Sequence, residues 1–439
     1  MHRLHRQHGQ ALIYGIFLML AGLAALFFMF NTGQLTSEKT KLVNTADAVA
    51  YSAGIMHARA LNFDSYTNRA MMANEITVAQ MVSLSSWLTY VQRHIQASQV
   101  LNCRTPQWSV PAWLTLVRYT PLCVLMAWPP LPAAVAAARN AFNVAGPVAV
   151  AASEVAKAQL QLAQATMFAS MLPARDRLMQ QVADANYRND GTISVDTIPL
   201  TDNWSLFDGG PFIRRYSGND RTRFRDAELA AAYSDSFVQS RTWSDRTQLA
   251  VSCIPARGTA NRTGATTLNG FDSWTANDSA SLRVETLRGF IPRCRTTTTY
   301  GLGSGNQTAS ARSSGNWRYA GVPSFFDLSA AARAYQPSNP DAARREPKLR
   351  FAIRLTRDKT QAKTSDGRSA IKPSGRLDLS NGNEAGDVMA AVSTSEVYFD
   401  RPQARADGRT ELASTFNPFW QVRLVGNSAA VVAAAVALQ

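Results

Sequence analysis

Histidine is scarce in this chain: there are five, and all lie at or before His94. A Ser–His or Cys–His pair would have to borrow His57 or His94, both on a stretch that reads as helix, so nucleophilic catalysis has little to draw on. No Gly-x-Ser-x-Gly elbow, His-Glu-x-x-His helix or phosphate-cradling Gly-x-x-x-x-Gly-Lys occurs. Cysteine is limited to Cys103, Cys123, Cys253 and Cys294, and none has the Cys-x-x-Cys spacing of a zinc or redox centre. Proline is missing until Pro106, so nothing in the first hundred residues forbids one unbroken helix. A second long apolar run is missing too, because the tail from Ala429 to Leu438 is too short to cross a bilayer. These absences exclude the common enzyme classes and argue for a protein that works by contact, without metal or cofactor.

Against that background one stretch stands out. Gln10 to Phe30 carries no charge, and 11 of its residues are Leu, Ile or Phe. At about 1.5 Å per residue it makes a helix of about 30 Å, the thickness of a bilayer core. A cleaved signal would have a shorter core ending at a small-x-small site, whereas this run ends Phe27-Phe28-Met29-Phe30-Asn31. Residues 10–31 are therefore expected to be a retained transmembrane helix. Arg3 and Arg6 flank it on the short side, which leaves residues 1–9 in the cytoplasm and exports the remainder.

Beyond the anchor, Leu42, Ala46, Val49, Ala53, Met56, Ala60 and Phe63 alternate in steps of four and three, a packing seam for a partner helix. Asn62-Phe63-Asp64-Ser65 offers a cap before Tyr66 that would break the helix there. The Ala-rich stretch from Ala133 to Tyr187, interrupted at Gly146-Pro147 and Pro173, supplies an internal partner. Residues 32–190 are expected to form a helical stalk or hairpin. Its connecting loop, 103–132, is rich in Trp and Pro and is stapled by a disulfide. On the exported side all four cysteines can pair; three pairings are open, and the local one closes loops of about 20 and 40 residues, each worth about 3 to 4 kcal/mol in the loop-entropy account.

From Gly191 the composition turns to Gly, Thr, Ser and Arg with short alternating runs. Leu349, Phe351, Ile353 and Leu355 fall on one face of a strand, with Arg350 and Arg354 on the other. Val388 to Phe399 and Trp420 to Leu424 are further strands, Asn269-Gly270 and Asp407-Gly408 are turn signals, and Arg295 to Ser314 and Thr356 to Asn383 read as exposed loops. The fold class expected is α+β: one transmembrane helix, a helical stalk, and a β-rich domain over 191–439. The net charge of +14 is spread without a dense block, so a nucleic-acid partner is not expected.

Four strings carry a resemblance, Tyr66-Thr-Asn-Arg-Ala-Met71 in the long helix among them. His8-Gly9-Gln10-Ala11-Leu12-Ile13-Tyr14-Gly15 running into the apolar helix, Glu396 to Pro402 (Glu-Val-Tyr-Phe-Asp-Arg-Pro) and Phe416 to Leu424 (Phe-Asn-Pro-Phe-Trp-Gln-Val-Arg-Leu) resemble the TadE/TadG-like proteins of the Tad (Flp) pilus assembly system, in its TadG-related branch. The resemblance implies a single-pass inner-membrane protein with a periplasmic bulk that serves pilus assembly as a minor-pilin-like component, beside TadE/TadF-like subunits and open to self-association. It also marks Gly9-Gln10 as a prepilin-type cleavage site, although Tyr14 stands where pilins usually carry Glu. A von Willebrand-type metal site, Asp-x-Ser-x-Ser, is not matched by Asp278-Ser-Ala-Ser281 or Asp327-Leu-Ser329. The alternative expectation is an adhesin or binding module that holds an anionic polymer, extracellular DNA or acidic glycan, through Arg344, Arg345, Lys348, Arg350 and Arg354.

Overall fold

A computed structural model describes residues 10–100, 128–198, 201–207, 210–248, 253, 257–312, 317–334, 347–358, 361, 388–403, 405–409 and 411–438. The loop 103–132 therefore falls mostly outside the described residues, as do Cys103, Cys123, Gly9, Arg344 and Arg345.

Helix α1 runs from Gln10 to Val100 without interruption. The break expected at Asn62–Ser65 does not occur: Ser65 Oγ turns back to the carbonyl of Leu61 at 2.8 Å, the usual way a helix absorbs a serine. Helix α2 spans Pro130–Asn186. Its first residue is a proline, tolerated there because that N–H has no helical partner. It also continues through Gly146-Pro147 and Pro173, where the sequence predicts interruption. At Gly146 the reason is visible: a Cβ there would lie 2.3 Å from Cη2 of Trp317, so the missing side chain makes room for an indole.

Four strands, β1 (Ser194–Thr197), β8 (Leu349–Asp358), β9 (Val388–Phe399) and β10 (Trp420–Val425), form one antiparallel sheet in the order β1-β8-β9-β10. A second antiparallel sheet follows chain order through β3 (Trp243–Gln248), β4 (Arg257–Asn269), β5 (Ser273–Arg288) and β6 (Arg293–Ser310). The short strands β2 (Ile213–Tyr216) and β7 (Phe325–Leu328) pair as a ribbon. Helix α3 covers Thr222–Ala232, α4 Ala330–Ala334 and α5 Ala429–Ala437. The architecture is α+β.

The chain divides into two compact units, and the division runs differently from a stalk followed by a β domain. The first unit takes residues 1–66, 166–214 and 327–439; the second takes 67–165 and 215–326. Each therefore owns a stretch of α1, a stretch of α2 and one four-stranded sheet.

In the first unit the core joins Leu42, Ala46, Val49 and Ala53 of α1, Met179, Ala183 and Tyr187 of α2, and Phe351, Ile353 and Leu355 of β8. The period-two alternation of β8 is present, but the middle of its other face is covered: Ala352 packs with Ile198 and with Val431 and Ala435 of α5, while Arg350 and Asp358 stay exposed. Arg354 is buried as a result, and its Nη1 donates to the carbonyl of Leu438 at 2.9 Å.

In the second unit Val78, Ala79 and Val82 of α1, Val150 of α2, Trp274 and Ala276 of β5 and Ala309 of β6 share a core with Trp317 and Tyr319. Residues 295–310, read above as a loop, belong to β6. Loop-like composition here serves close packing: a Cβ on Gly305 would meet the Ser86 carbonyl at 2.0 Å, and one on Gly303 the His94 amide nitrogen at 2.6 Å. Strand glycines let the helix backbone come down onto the sheet.

Candidate functional site

The first unit begins with apolar surface that none of the described residues covers. From Leu12 to Phe30 the large side chains of α1 are exposed, Leu18 at 74%, and an 18-residue window of this helix reaches a mean hydropathy of 2.4 with none of it buried. Exposure of that kind on a helix of membrane length marks an anchor.

Directly after it the helix is gripped. Asn31 and Glu38 are buried. Glu38 pairs with Arg357 at the end of β8, and Lys41 pairs with Asp190. Tyr187 lies between the two cations, with Lys41 Nζ 4.2 Å and Arg357 Cζ 4.7 Å from its ring centroid. Lys39 donates to the carbonyl of Ala390, and partial burial lowers its pKa. This collar fixes the azimuth of the helix where it leaves the anchor, since each charged pair needs one face of α1 turned to one strand end.

The seam comes next. Leu42, Ala46, Val49, Ala53 and Ala60 are buried, while Met56 and Phe63 are half-buried. The partners of Leu42, Ala46, Val49 and Ala53 are the chain's own α2 and β8. Gly54 brings α1 against β9 and β10, because a Cβ there would lie 2.4 Å from Val422 Cγ2 and 3.0 Å from Ser395 Cβ. Asn62 then clasps Trp420 from both sides of its backbone: Nδ2 donates to the Trp420 carbonyl and Oδ1 accepts from its amide, each at 3.0 Å. An amide side chain thus imitates a neighbouring strand. The two C-terminal strings noted in the sequence supply the end of β9 and most of β10, and α1 packs against these two strands through Gly54 and Asn62.

His57 is buried in the same unit, stacked on Trp204 with ring centroids 5.2 Å apart. Its Nε2 accepts from Arg175 Nη1 at 3.3 Å, and Arg175 also pairs with Asp202 at 2.8 Å. Burial holds the imidazole well below its usual pKa, and the Arg175 charge adds to that. A neutral ring wedged between an indole and a guanidinium is a packing element. Asp64 is held well above the usual carboxylate range by burial and by Asp327; Asp327 in turn accepts from Thr415 Oγ1 at 2.7 Å.

Of the residues proposed for an anionic polymer, Arg350 pairs with Glu396 at 2.8 Å and Arg354 is buried beneath α5. Among the described residues these two do not form an open basic patch. Glu396 is itself buried and takes Arg423 as a second partner at 2.6 Å. Cys253 and Cys294 are disulfide-bonded, with Cα atoms 6.0 Å apart.

Sequence reasoning missed an ionic cluster in the second unit. Glu75 accepts from Lys157 and, at 2.6 Å, from Tyr319 Oη, while Trp274 Nε1 stands 3.4 Å away. Lys157 also pairs with Glu154 at 2.7 Å. Glu228, fully buried on α3, lies beside Glu75 and Trp274; burial and then Glu75 hold it well above the usual carboxylate range. A signal existed: Glu75 is the single acid between Ser65 and Val100, and Lys157 the single cation between Asn140 and Ala174. Among the described residues no group of three or more His, Cys, Asp and Glu could hold a metal ion.

Residues 9–60 match the family described as putative Flp pilus-assembly TadE/G-like. That span contains the exposed apolar helix, the collar residues of α1 and the seam up to Ala60. No curated protein and no solved structure matches the chain.

Proposed function

We propose, starting from the TadE/G-like segment at the head of the chain, that this protein is a membrane-anchored assembly component of a Tad (Flp) pilus or related secretion system. It acts without catalysis and in the manner of a minor pilin. Helix 10–31 holds it in the inner membrane, the short N-terminus stays in the cytoplasm and both units stand in the periplasm.

One observation carries this reading. Within the matched segment Leu42 to Ala53 of the seam are already covered by α2 and β8, whereas among the described residues the helix before it is exposed at every large apolar side chain but Phe28. The surface left for lipid and for neighbouring TadE- or TadF-like subunits is therefore the anchor. A probe at Ala53 or Ala60 reports on the chain's own packing, so the informative position is Leu18. A photoreactive residue there, activated in native membranes, should capture other pilus subunits, and deletion of the gene should strip the cell of surface pili. Unchanged piliation and adhesion in the deletion strain would remove the proposal. Mass spectrometry of the N-terminal peptide decides whether the chain is cut between Gly9 and Gln10.

A further inference from the structure

The hairpin that joins β5 to β6 ends in a tip unlike the rest of its sheet. Four residues turn the chain, Gly289-Phe290-Ile291-Pro292, with Gly289 at φ +102°, a conformation that favours glycine. Phe290 is 106% exposed and Ile291 68%. Leu287, one residue below the turn on β5, is exposed as well.

Three arginines ring this apolar point. Arg288 and Arg293 face each other directly across the ladder, and Arg295 follows opposite Thr286. All three are exposed, and none makes a hydrogen bond or ion pair among the described residues. No Asp or Glu occurs between Glu285 and Asp327 to neutralise them. Like charges paired directly across a ladder are destabilising, so this arrangement does not serve the sheet. The tip is also braced: Cys294, paired with Leu287 in the ladder, is bonded to buried Cys253.

We propose that this hairpin tip docks on an anionic phospholipid surface, with Phe290 and Ile291 entering the headgroup layer and Arg288, Arg293 and Arg295 gathering lipid phosphates around them. The area favours lipid over a protein partner. Two side chains offer at most about 400 Å² on this side, half of the roughly 800 Å² per partner that a standard specific protein interface buries. A bilayer makes no such demand, because apolar side chains sink into it individually while basic ones meet the headgroups. A stiff, disulfide-tied hairpin delivers them without an ordering cost. The inference concerns the second unit alone and does not depend on the pilus reading.

The test uses the full chain, held by its anchor in nanodiscs of phosphatidylcholine and mixed with vesicles either of phosphatidylcholine or of phosphatidylcholine with phosphatidylglycerol. Three arginines at about fivefold each near an anionic surface should make flotation with the anionic vesicles stronger by on the order of a hundredfold at low salt. Phe290→Ser with Ile291→Ser should abolish it, and Arg288→Gln, Arg293→Gln and Arg295→Gln together should reduce it to the zwitterionic level. Because every altered side chain is exposed, circular dichroism and the Cys253–Cys294 bond should be unchanged in both variants. Three results overturn the proposal: no flotation of the wild type, equal flotation of the Ser variant, or Phe290-dependent clustering of nanodiscs without vesicles, which would assign the tip to a second copy.

Discussion

Helix α1 packs against a sheet twice, and it does so by opposite means. In the first unit the facing strand carries Phe351, Ile353 and Leu355, and the contact is apolar bulk against Ala, Val and Leu. In the second, the facing strand carries Gly303 and Gly305, and backbone meets backbone. Large side chains hold a helix off a sheet and exclude water by volume; glycines bring it close and leave polar groups in the contact. The polar content follows suit. Ser83 and Ser86 of α1 bond Thr266 at 2.6 Å and Asp278 at 2.7 Å, and Glu75 lies in a cage of Lys157 and Tyr319. One helix can thus hold two sheets, provided its sequence changes register from apolar to small and polar along the way.

The sharpest break should come at Gly305. Gly305→Val places branched carbons where the Ser86 carbonyl stands, and overpacking against backbone, which cannot yield, should cost at least about 3 kcal/mol. Gly301, on the same strand but with nothing within 4 Å of its would-be Cβ, should accept Ala within about 0.5 kcal/mol. Limited proteolysis reporting on residues 215–326 distinguishes them.

Next in size is the ionic cage. Lys157→Met leaves Glu75 buried without its cation, at a cost of about 3 to 5 kcal/mol. Adding Glu75→Leu should recover much of that loss, because removing both partners is far milder than removing one. Denaturant unfolding of the two variants checks this; no recovery in the pair would mean that the bonds Glu75 accepts from Tyr319 and Trp274 matter as much as its pairing with Lys157.

The two units should also separate by pH. Glu228 is raised when folded, so the stability it permits is full below its usual value of 4.5 and is lost as pH rises through the folded value. His57 is lowered, so its contribution is full above 6.5 and is lost as pH falls. Hydrogen exchange followed unit by unit should show Glu228→Gln flattening the alkaline loss in the second unit and His57→Gln flattening the acid loss in the first. Asp64 has the same sign as Glu228, so the His57 effect is read as the difference from wild type.

The smallest effect is expected at Arg350. It is half exposed, and Glu396 keeps Arg423 when it goes, so Arg350→Gln should change stability by less than about 1 kcal/mol. A larger loss, seen as a drop in midpoint temperature, would mean the exposed pair contributes more than its solvent screening allows.

The first unit was the more legible of the two for the same reason that it packs by bulk. Apolar steps of three and four from Leu42 to Ala60, and alternation from Leu349 to Leu355, are what side-chain volume looks like in a sequence. Even there the reading stopped at one layer: nothing in β8 announces that α5 will cover Ala352 and bury Arg354, since that depends on a segment some eighty residues away. The second unit hid its strands because Gly and Thr signal a loop when no neighbour is known. Tyr319, Lys157 and Glu75 come from three distant stretches, and the isolation of each charge in an apolar context was the one trace they left. The anchor was plain because it answers to solvent and to no other part of the chain.

The chain order of the units has a consequence for biosynthesis. Residues 67–165 and 215–326 are all available before β8, β9 and β10 have been made, so the second unit can close first. The first cannot: Leu42 and Ala53 wait for Phe351, and Asn62 waits for Trp420. At about 5 to 20 residues per second of translation, the greasy stripe beside the anchor stays naked for tens of seconds. A nascent or truncated polypeptide lacking its last hundred residues should carry a finished second unit and an unfinished first one, and be a natural client for chaperones and proteases.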